Sequence, residues 1–346
     1  MELTAYFLDF DAPLHIGLEG IGQESIETTV RSDTLWGAIV QCWSLIFDQS
    51  PDKLCVQSPF QVSSCFPFIK GQMFFPLPVG TLDPLMQSEK DLSQIKKLKK
   101  VVYLSYPLFC RVLQGEKLNA AALETPLSCW PLLSGEIENE RPSASLLNQT
   151  KKMGGKFFQT SQRPRLEIDR ASGGTVEGQF FYCTDQSFFA ESGLFFLGEF
   201  ENKQTRQHFE AALQLLADSG LGADRSVGRG TFTFRKSTIK FPVISEPDQF
   251  CLLSLYHPTR EEVSDGVLKH ANTAYNVIRR SGQCGSIGVN RFRRADIWML
   301  GEGSVLGVRP AGDISCVLPQ KGPIPHNVYR YGVAMAVPMA ERRVPK

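Results

Sequence analysis

The sequence predicts an α+β chain in which the order strand, helix, strands, helix, strand occurs twice. Three observations carry this: a β-prone aromatic run at the N-terminus, stripes of helical period near residues 36–47 and 209–216, and glycine-rich turns between alternating segments. With 346 residues and 42% hydrophobic content, the chain is long enough for about two core-forming units.

Residues 3–10 alternate loosely and suit a first strand, followed by a loop with Gly17, Gly20 and Gly22. Trp36, Ile39, Val40, Trp43 and Phe47 recur at helical spacing, with Ser32-Asp33-Thr34 as N-cap candidates, so capping is the default reading of Ser32 and Asp33. Prolines break residues 48–160 into short pieces. Phe66 to Pro78 reads as two strands joined at Lys70-Gly71, Val101 to Tyr106 as another, and the rest as surface insertion, with Ser134 to Gln149 the segment best suited to disorder. Arg165 to Arg170 alternates, turns through Ser172-Gly173-Gly174 and resumes at Thr175 to Cys183, a β-hairpin. Gly193 to Phe200 is a strand. Phe209, Ala212, Leu213 and Leu216 mark a second helix ending at Gly220, and Thr231 to Lys240 is the strand after it. That is a ferredoxin-like order carrying a large insertion.

Residues 241–346 repeat the scheme with a weaker signal. Phe250 to Tyr256 is a strand, and Thr259-Arg-Glu-Glu262 is a capping box opening a helix with Val263, Val267, Ala271, Ala274 and Ile278 on one face. Ala295 to Leu300, Asp313 to Leu318 and Tyr329 to Pro338 complete the strands. The expected domains are therefore 1–240, with an insertion at about 48–160 and a projecting hairpin at about 160–183, and 241–346, both ferredoxin-like.

Leu215 to Phe234 is the segment richest in functional information. Phosphate-cradling loops of nucleotide enzymes run strand, loop, helix, so that the helix N-terminus meets the anion. Here the helix comes first and its negative end faces the loop, which disfavours a mononucleotide site. Gly220, Gly222, Gly228 and Gly230 allow a close backbone approach, and Arg225 and Arg229 supply charge, a combination suited to a polynucleotide backbone. A net charge of +1 leaves any such binding to local clusters. The nine cysteines include no Cys-x-x-Cys pair and read as reduced thiols of a cytoplasmic protein. The histidines lack ligand spacing, so neither metal nor cofactor is expected. No apolar run is long enough for a membrane span, and the N-terminus lacks a signal peptide's basic region.

Several segments together resemble a known family. They are Leu14-His-Ile-Gly17, Arg31-Ser-Asp-Thr-Leu-Trp-Gly-Ala38, Phe74-Phe-Pro-Leu-Pro78, Ile168-Asp-Arg170 with Glu177-Gly178, Gly220 to Phe234, and Val328-Tyr-Arg-Tyr-Gly332. The family is the RAMP superfamily (repeat-associated mysterious proteins) of CRISPR systems, built on one or two ferredoxin-like, RRM-related domains. Ser-Asp-Thr-Leu, Ile-Asp-Arg and Tyr-Arg-Tyr-Gly resemble in particular the fourth-subunit family of type III-A effector complexes. That resemblance implies a non-catalytic protein of antiviral defence. It further implies a protein that binds the repeat-derived 5′ handle of the CRISPR RNA, caps the backbone filament, contacts the large signature subunit and a backbone RAMP subunit, and meets target RNA only indirectly. Residues 84–155 match nothing in the family.

The expected RNA contacts follow from motif and resemblance together. The glycine loop offers Gly222, Arg225, Ser226, Gly228, Arg229 and Gly230; the N-terminal signature His15, Gly17, Arg31 and Ser32; the hairpin, or thumb, Arg163, Arg165, Ile168 and Arg170. Solvation with ion pairs to Glu167 and Asp169 is the competing account of the hairpin arginines. Arg291, Arg293 and Arg294 fit a groove between the units or an exposed strand edge. Tyr329 and Tyr331 read as core, and Arg330 between them as a ligand. His15 motivates the alternative, a metal-independent repeat-processing endoribonuclease in which it acts as general base. The equivalent type III-B subunit and a purely structural cap are further readings.

Overall fold

The structure is a computed structural model, and it describes residues 1–17, 26–56, 58–81, 101–116, 123–127, 130–133, 157–286, 289–318 and 326–340. The elements, in chain order, begin with β1 (Glu2–Phe10), α1 (Ser32–Phe47), α2 (Pro51–Val56), β2 (Phe60–Val62), β3 (Phe66–Ile69), β4 (Gln72–Pro76), β5 (Tyr103–Ser105) and α3 (Tyr106–Leu113). The short pair β6 (Leu123–Leu127) and β7 (Trp130–Leu133) follows, then β8 (Phe158–Ile168), β9 (Thr175–Phe188), β10 (Ser192–Phe200), α4 (Lys203–Ser219) and β11 (Phe232–Lys240).

One seven-stranded sheet organises this part, in the order β11-β1-β10-β3-β4-β5 with β2 also pairing β10. Alternation along β1 decides what each face meets. Tyr6 and Leu8 point to α1 and α4, where Trp36, Ile39, Trp43, Phe209 and Leu213 fill the space. Leu3, Ala5 and Phe7 point the other way, into a core shared with Phe109 of α3 and with Cys251, Leu253, Val305 and Val337 from beyond residue 240. Both faces are closed. An RRM stacks bases on the open face of its sheet, and here that face is core.

The segment 48–160 is less of an insertion than its prolines suggest, because β2 to β5 join the main sheet. Lys70 and Gly71 form the predicted turn, at φ of 50° and 81°. Residues 134–149 lie outside the described residues. α4 begins on Asn202, whose side chain accepts from Thr205 N at 2.9 Å, and stops at Gly220 as its sequence requires. The hairpin β8–β9 is longer than predicted; its outer half is exposed, whereas Cys183 to Gln186 at its root are buried.

Beyond residue 240 come β12 (Gln249–Leu252), α5 (Arg260–Ser264), β13 (Val277–Arg280), β14 (Gln283–Ser286), β15 (Val289–Arg293), β16 (Ile297–Leu300), β17 (Val305–Leu306), β18 (Ile314–Cys316), β19 (Tyr329–Tyr331) and β20 (Ala336–Met339). β12 pairs with β17 and β20, and the pairs β13–β16, β14–β15 and β18–β19 flank this sheet. The long helix expected from Thr259 is absent. Its capping box forms, with Glu262 N donating to Thr259 Oγ1 at 3.1 Å, but α5 ends at Ser264 and Gly266 turns the chain at φ 81°. Ile278, assigned to that helix, instead sits in β13 opposite Met299. Among the described residues, the second unit therefore holds no helix longer than five residues. Nor, among them, is any helix long and apolar enough to cross a membrane.

Candidate nucleic-acid interface

The glycine loop begins where α4 ends, passes through a single 3-10 turn at Arg225–Val227 and enters β11. Gly220, Gly222, Gly228 and Gly230 all have positive φ, between 70° and 95°. The reason is internal. A Cβ at Gly220, Gly222 or Gly230 would meet Arg229 O, His15 O or Leu221 O at 2.2, 2.4 and 2.0 Å, whereas one at Gly228 meets nothing within 4 Å. Gly230 N donates to Pro13 O at 3.0 Å and Ala223 N to His15 O at 2.9 Å, seating the loop on residues 13–17. Three glycines thus serve close packing of the chain on itself, which corrects the expectation that all of them admit a ligand. Ser226, Val227 and Gly228 form the exposed crest.

The two loop arginines part company. Arg225 is half-buried and forms no ion pair among the described residues. Arg229 turns inward, 8% exposed, with Nη1 2.7 Å from Asp185 Oδ2; as an RNA ligand it is corrected to a structural ion pair. The hairpin arginines pair with the body, and not with Glu167 or Asp169: Arg163 lies 3.4 Å from Asp185 and Arg165 2.8 Å from Asp224. Arg170, near the tip, is exposed and without an ion pair among the described residues, and Ile168 is 57% exposed.

His15 is buried, its Nδ1 donating to Thr184 O at 2.6 Å. Cys183 Sγ lies 3.7 Å from that nitrogen, and burial, with Asp224 beside it, pushes the thiol up to about 11, so it is no reactive thiolate at neutral pH. Gly17 bridges to Ile26.

The start of α1 is knotted to the second unit. The cap position falls on Arg31, whose side chain makes no capping bond, while Asp33 Oδ1 inside the first turn accepts from Thr34 N at 2.8 Å. Ser32 Oγ instead accepts from Leu255 N at 3.0 Å, and Ser32 N donates to Ser64 Oγ at 2.9 Å. The Asp33 carboxylate takes Arg280 Nε and Nη2 at 2.9 and 3.0 Å and also Arg330 Nη1. Burial alone would raise its pKa, but the two guanidiniums outweigh burial and hold it down to about 2. Arg330, 5% exposed and also bonded to Ser281 O, is therefore part of the frame and not the free ligand expected, while Tyr331 is core, stacked on Trp36 at 5.2 Å. Arg31 joins Glu27 and Glu302 at 2.9 and 2.6 Å and lines a separate cavity of about 480 Å³.

Between the glycine loop, α1 and the β13–β14 turn lies a cleft of about 530 Å³. It brings together His15, Gly17, Gly222, Arg225, Arg294 and Arg330 of the predicted residues. It does not include the hairpin residues or the 226–228 crest. Arg293 is exposed, 3.7 Å from Asp296, and the side chain of Arg291 lies outside the described residues. The cleft adds Gln41, Arg280 and Gln283, which sequence reasoning missed; the Arg279-Arg280 doublet before a Ser-Gly turn was their one signal. Guanidiniums and amides around open backbone suit phosphate and base-edge contacts. Its one carboxylate, Asp33, is held ionised and saturated by arginine, a poor proton carrier.

The family model described as CRISPR Csm4 C-terminal domain matches residues 245–339. The Csm4 protein of a CRISPR system in Thermococcus onnurineus (strain NA1) is 23% identical over 330 residues, 93% of this chain and 95% of its own. Among solved structures, a Csm3-Csm4 subcomplex of a type III-A interference complex matches with a TM-score of 0.64 at 16% identity, over 98% of this chain and 99% of that one. A Csm1-Csm4 cassette in complex with cA4 matches at 0.60 and 15%, over 99% and 100%. Residues 245–339 thus fit the Csm4 C-terminal family, and along its length the chain is similar to Csm4 proteins.

Proposed function

We propose that the chain is a non-catalytic subunit of a type III CRISPR-Cas effector complex, with Csm1- and Csm3-like partners, and that its cleft holds the 5′ handle of the CRISPR RNA. One observation carries the handle reading: the cleft gathers His15 and Gly17, Gln41 of α1, Arg225 of the glycine loop, which has no ion pair among the described residues, and Arg280 and Gln283 from four separate segments. The closed sheet supports it by leaving the loop side for RNA. In this reading the N-terminal unit is ferredoxin-like, supported by the neighbours β11-β1-β10-β3 with two helices on one face, and β8–β9 is a thumb with Arg170 and Ile168 near its tip. The buried, hydrogen-bonded His15 and the saturated Asp33 support a binding role over the endoribonuclease reading.

The test is made in the assembled complex. Arg225→Glu with Arg170→Glu will reduce CRISPR RNA retention at least tenfold, and the slope of log affinity against log salt will flatten by about 0.7 per lost phosphate contact on single-stranded RNA. Unchanged retention, with no crosslink from Ser226 to Gly228 to the handle, removes the assignment. Site-specific cutting of repeat RNA by the purified chain, abolished in His15→Ala, replaces it with the endoribonuclease.

A further inference from the structure

Three donors that the chain keeps far apart meet at the root of the hairpin. His15 comes from the loop after β1, and Cys183 and Asp185 lie two residues apart on one face of β9. All three are buried, and their donor atoms lie within 4.8 Å of one another. The bridge Leu14↔Gln186, with both of its hydrogen bonds at 2.8 Å, fixes the loop beside the strand. A further carboxylate, Asp224 of the glycine loop, stands 3.5 Å from Cys183 Sγ.

One of these groups is unfinished. The Asp185 side chain has 0% exposure, yet Oδ1 has no hydrogen-bond partner among the described residues. The guanidiniums of Arg229 and Arg163 lie 2.7 and 3.4 Å from Oδ2, and neither makes an aligned hydrogen bond. A buried carboxylate oxygen with no hydrogen bond, beside a thiol and an imidazole, is an open ligand position.

We propose that His15, Cys183 and Asp185 form a zinc site, with water in the fourth position, that ties the hairpin root to the loop walling the cleft. A set of one sulfur, one nitrogen and carboxylate oxygen suits zinc, whereas calcium and magnesium take oxygen alone. Tetrahedral zinc sets its ligands about 3.4 Å apart, so from separations within 4.8 Å the donors close in by about 1.4 Å at most. The His15 nitrogen facing Cys183 is Nδ1, at 3.7 Å, and it would exchange its hydrogen bond to the Thr184 carbonyl for the metal. On binding, the Cys183 thiol releases its proton to solvent as the S–Zn bond forms. The site involves no redox change.

The purified full-length chain, dialysed against chelator-free buffer and analysed for metal, should hold zinc at one ion per chain. Exchanged for cobalt(II), it should show a thiolate-to-cobalt charge-transfer band in the near ultraviolet. Cys183→Ser should lose the band, His15→Gln should lower zinc affinity at least tenfold, and Cys42→Ser, a buried thiol of the helix layer, should change neither. Circular dichroism confirms that each variant is folded. Folded wild-type chain that takes up no zinc at micromolar concentration, or cobalt whose band survives Cys183→Ser, overturns the site. Neither readout depends on RNA, so failure here leaves the handle reading standing.

Discussion

Asp33→Ala will destabilise the chain by about 3–5 kcal/mol in chemical denaturation, the cost of leaving buried charge without its partner. The effect is large because Asp33 is the fully buried anion of an alternation, Glu302–Arg31–Glu27–Arg280–Asp33–Arg330, that joins the N-terminal helix layer to residues beyond 240. Arg280 keeps Glu27 at 2.8 Å when Asp33 is removed, but Arg330 keeps only the Ser281 carbonyl. The double variant Asp33→Ala, Arg330→Met should therefore recover part of the loss, with a coupling of about 0.5–3 kcal/mol. Additive losses would show that the two groups do not act as a pair. Breaking the exposed Lys240–Glu2 contact at 3.3 Å should have no comparable effect.

The same carboxylate sets an acid limit. Its pKa is lower in the fold, about 2, than in the unfolded chain, about 3.9. Its contribution is therefore complete above the unfolded value and is lost as pH falls through the folded one. Stability should decline between about pH 4 and pH 2, more steeply in the wild type than in Asp33→Asn. Equal acid slopes for both proteins would contradict the assignment.

Local rules carried the sequence reading where structure is local. The hairpin was legible because alternation and Ser-Gly-Gly sit within a few residues of each other, and α4 because its stripe ends on a glycine. The α5 helix was overestimated because its capping box is real, while what stops it is long-range: Gly266 turns the chain and β13 pairs with β16. Strands β2 to β5, three to five residues each, gave too short a pattern to show that they join the main sheet. The arginines divide in the same way. Arg225 and Arg170 could be read as free, but Arg229 and Arg330 look identical to them in sequence and are drawn inward by Asp185 and Asp33, the latter 297 residues away. The His15, Cys183 and Asp185 cluster was invisible for that reason too, since no spacing motif spans separate segments.

Gly230→Ala will disrupt the cleft far more than Gly228→Ala, although both residues have positive φ, at 70° and 78°. The left-handed backbone alone costs a non-glycine residue about 1–2 kcal/mol, and that is all Gly228→Ala incurs, because its new methyl enters open space. At Gly230 the methyl would sit 2.0 Å from Leu221 O, a backbone atom with no rotamer to escape into. The loop must open, losing the bonds Leu221 N to Gly230 O at 2.9 Å and Gly230 N to Pro13 O at 3.0 Å, about 1 kcal/mol each. The total is about 3–4 kcal/mol. Gly222→Ala, meeting His15 O at 2.4 Å, should behave like Gly230→Ala. Urea titration measures the ranking, and RNA retention in the assembled complex should follow it: largely kept in Gly228→Ala, largely lost in the other two. If all three variants unfold alike, the glycines serve chain flexibility, and the packing of this loop on residues 13–17 is not what shapes the cleft.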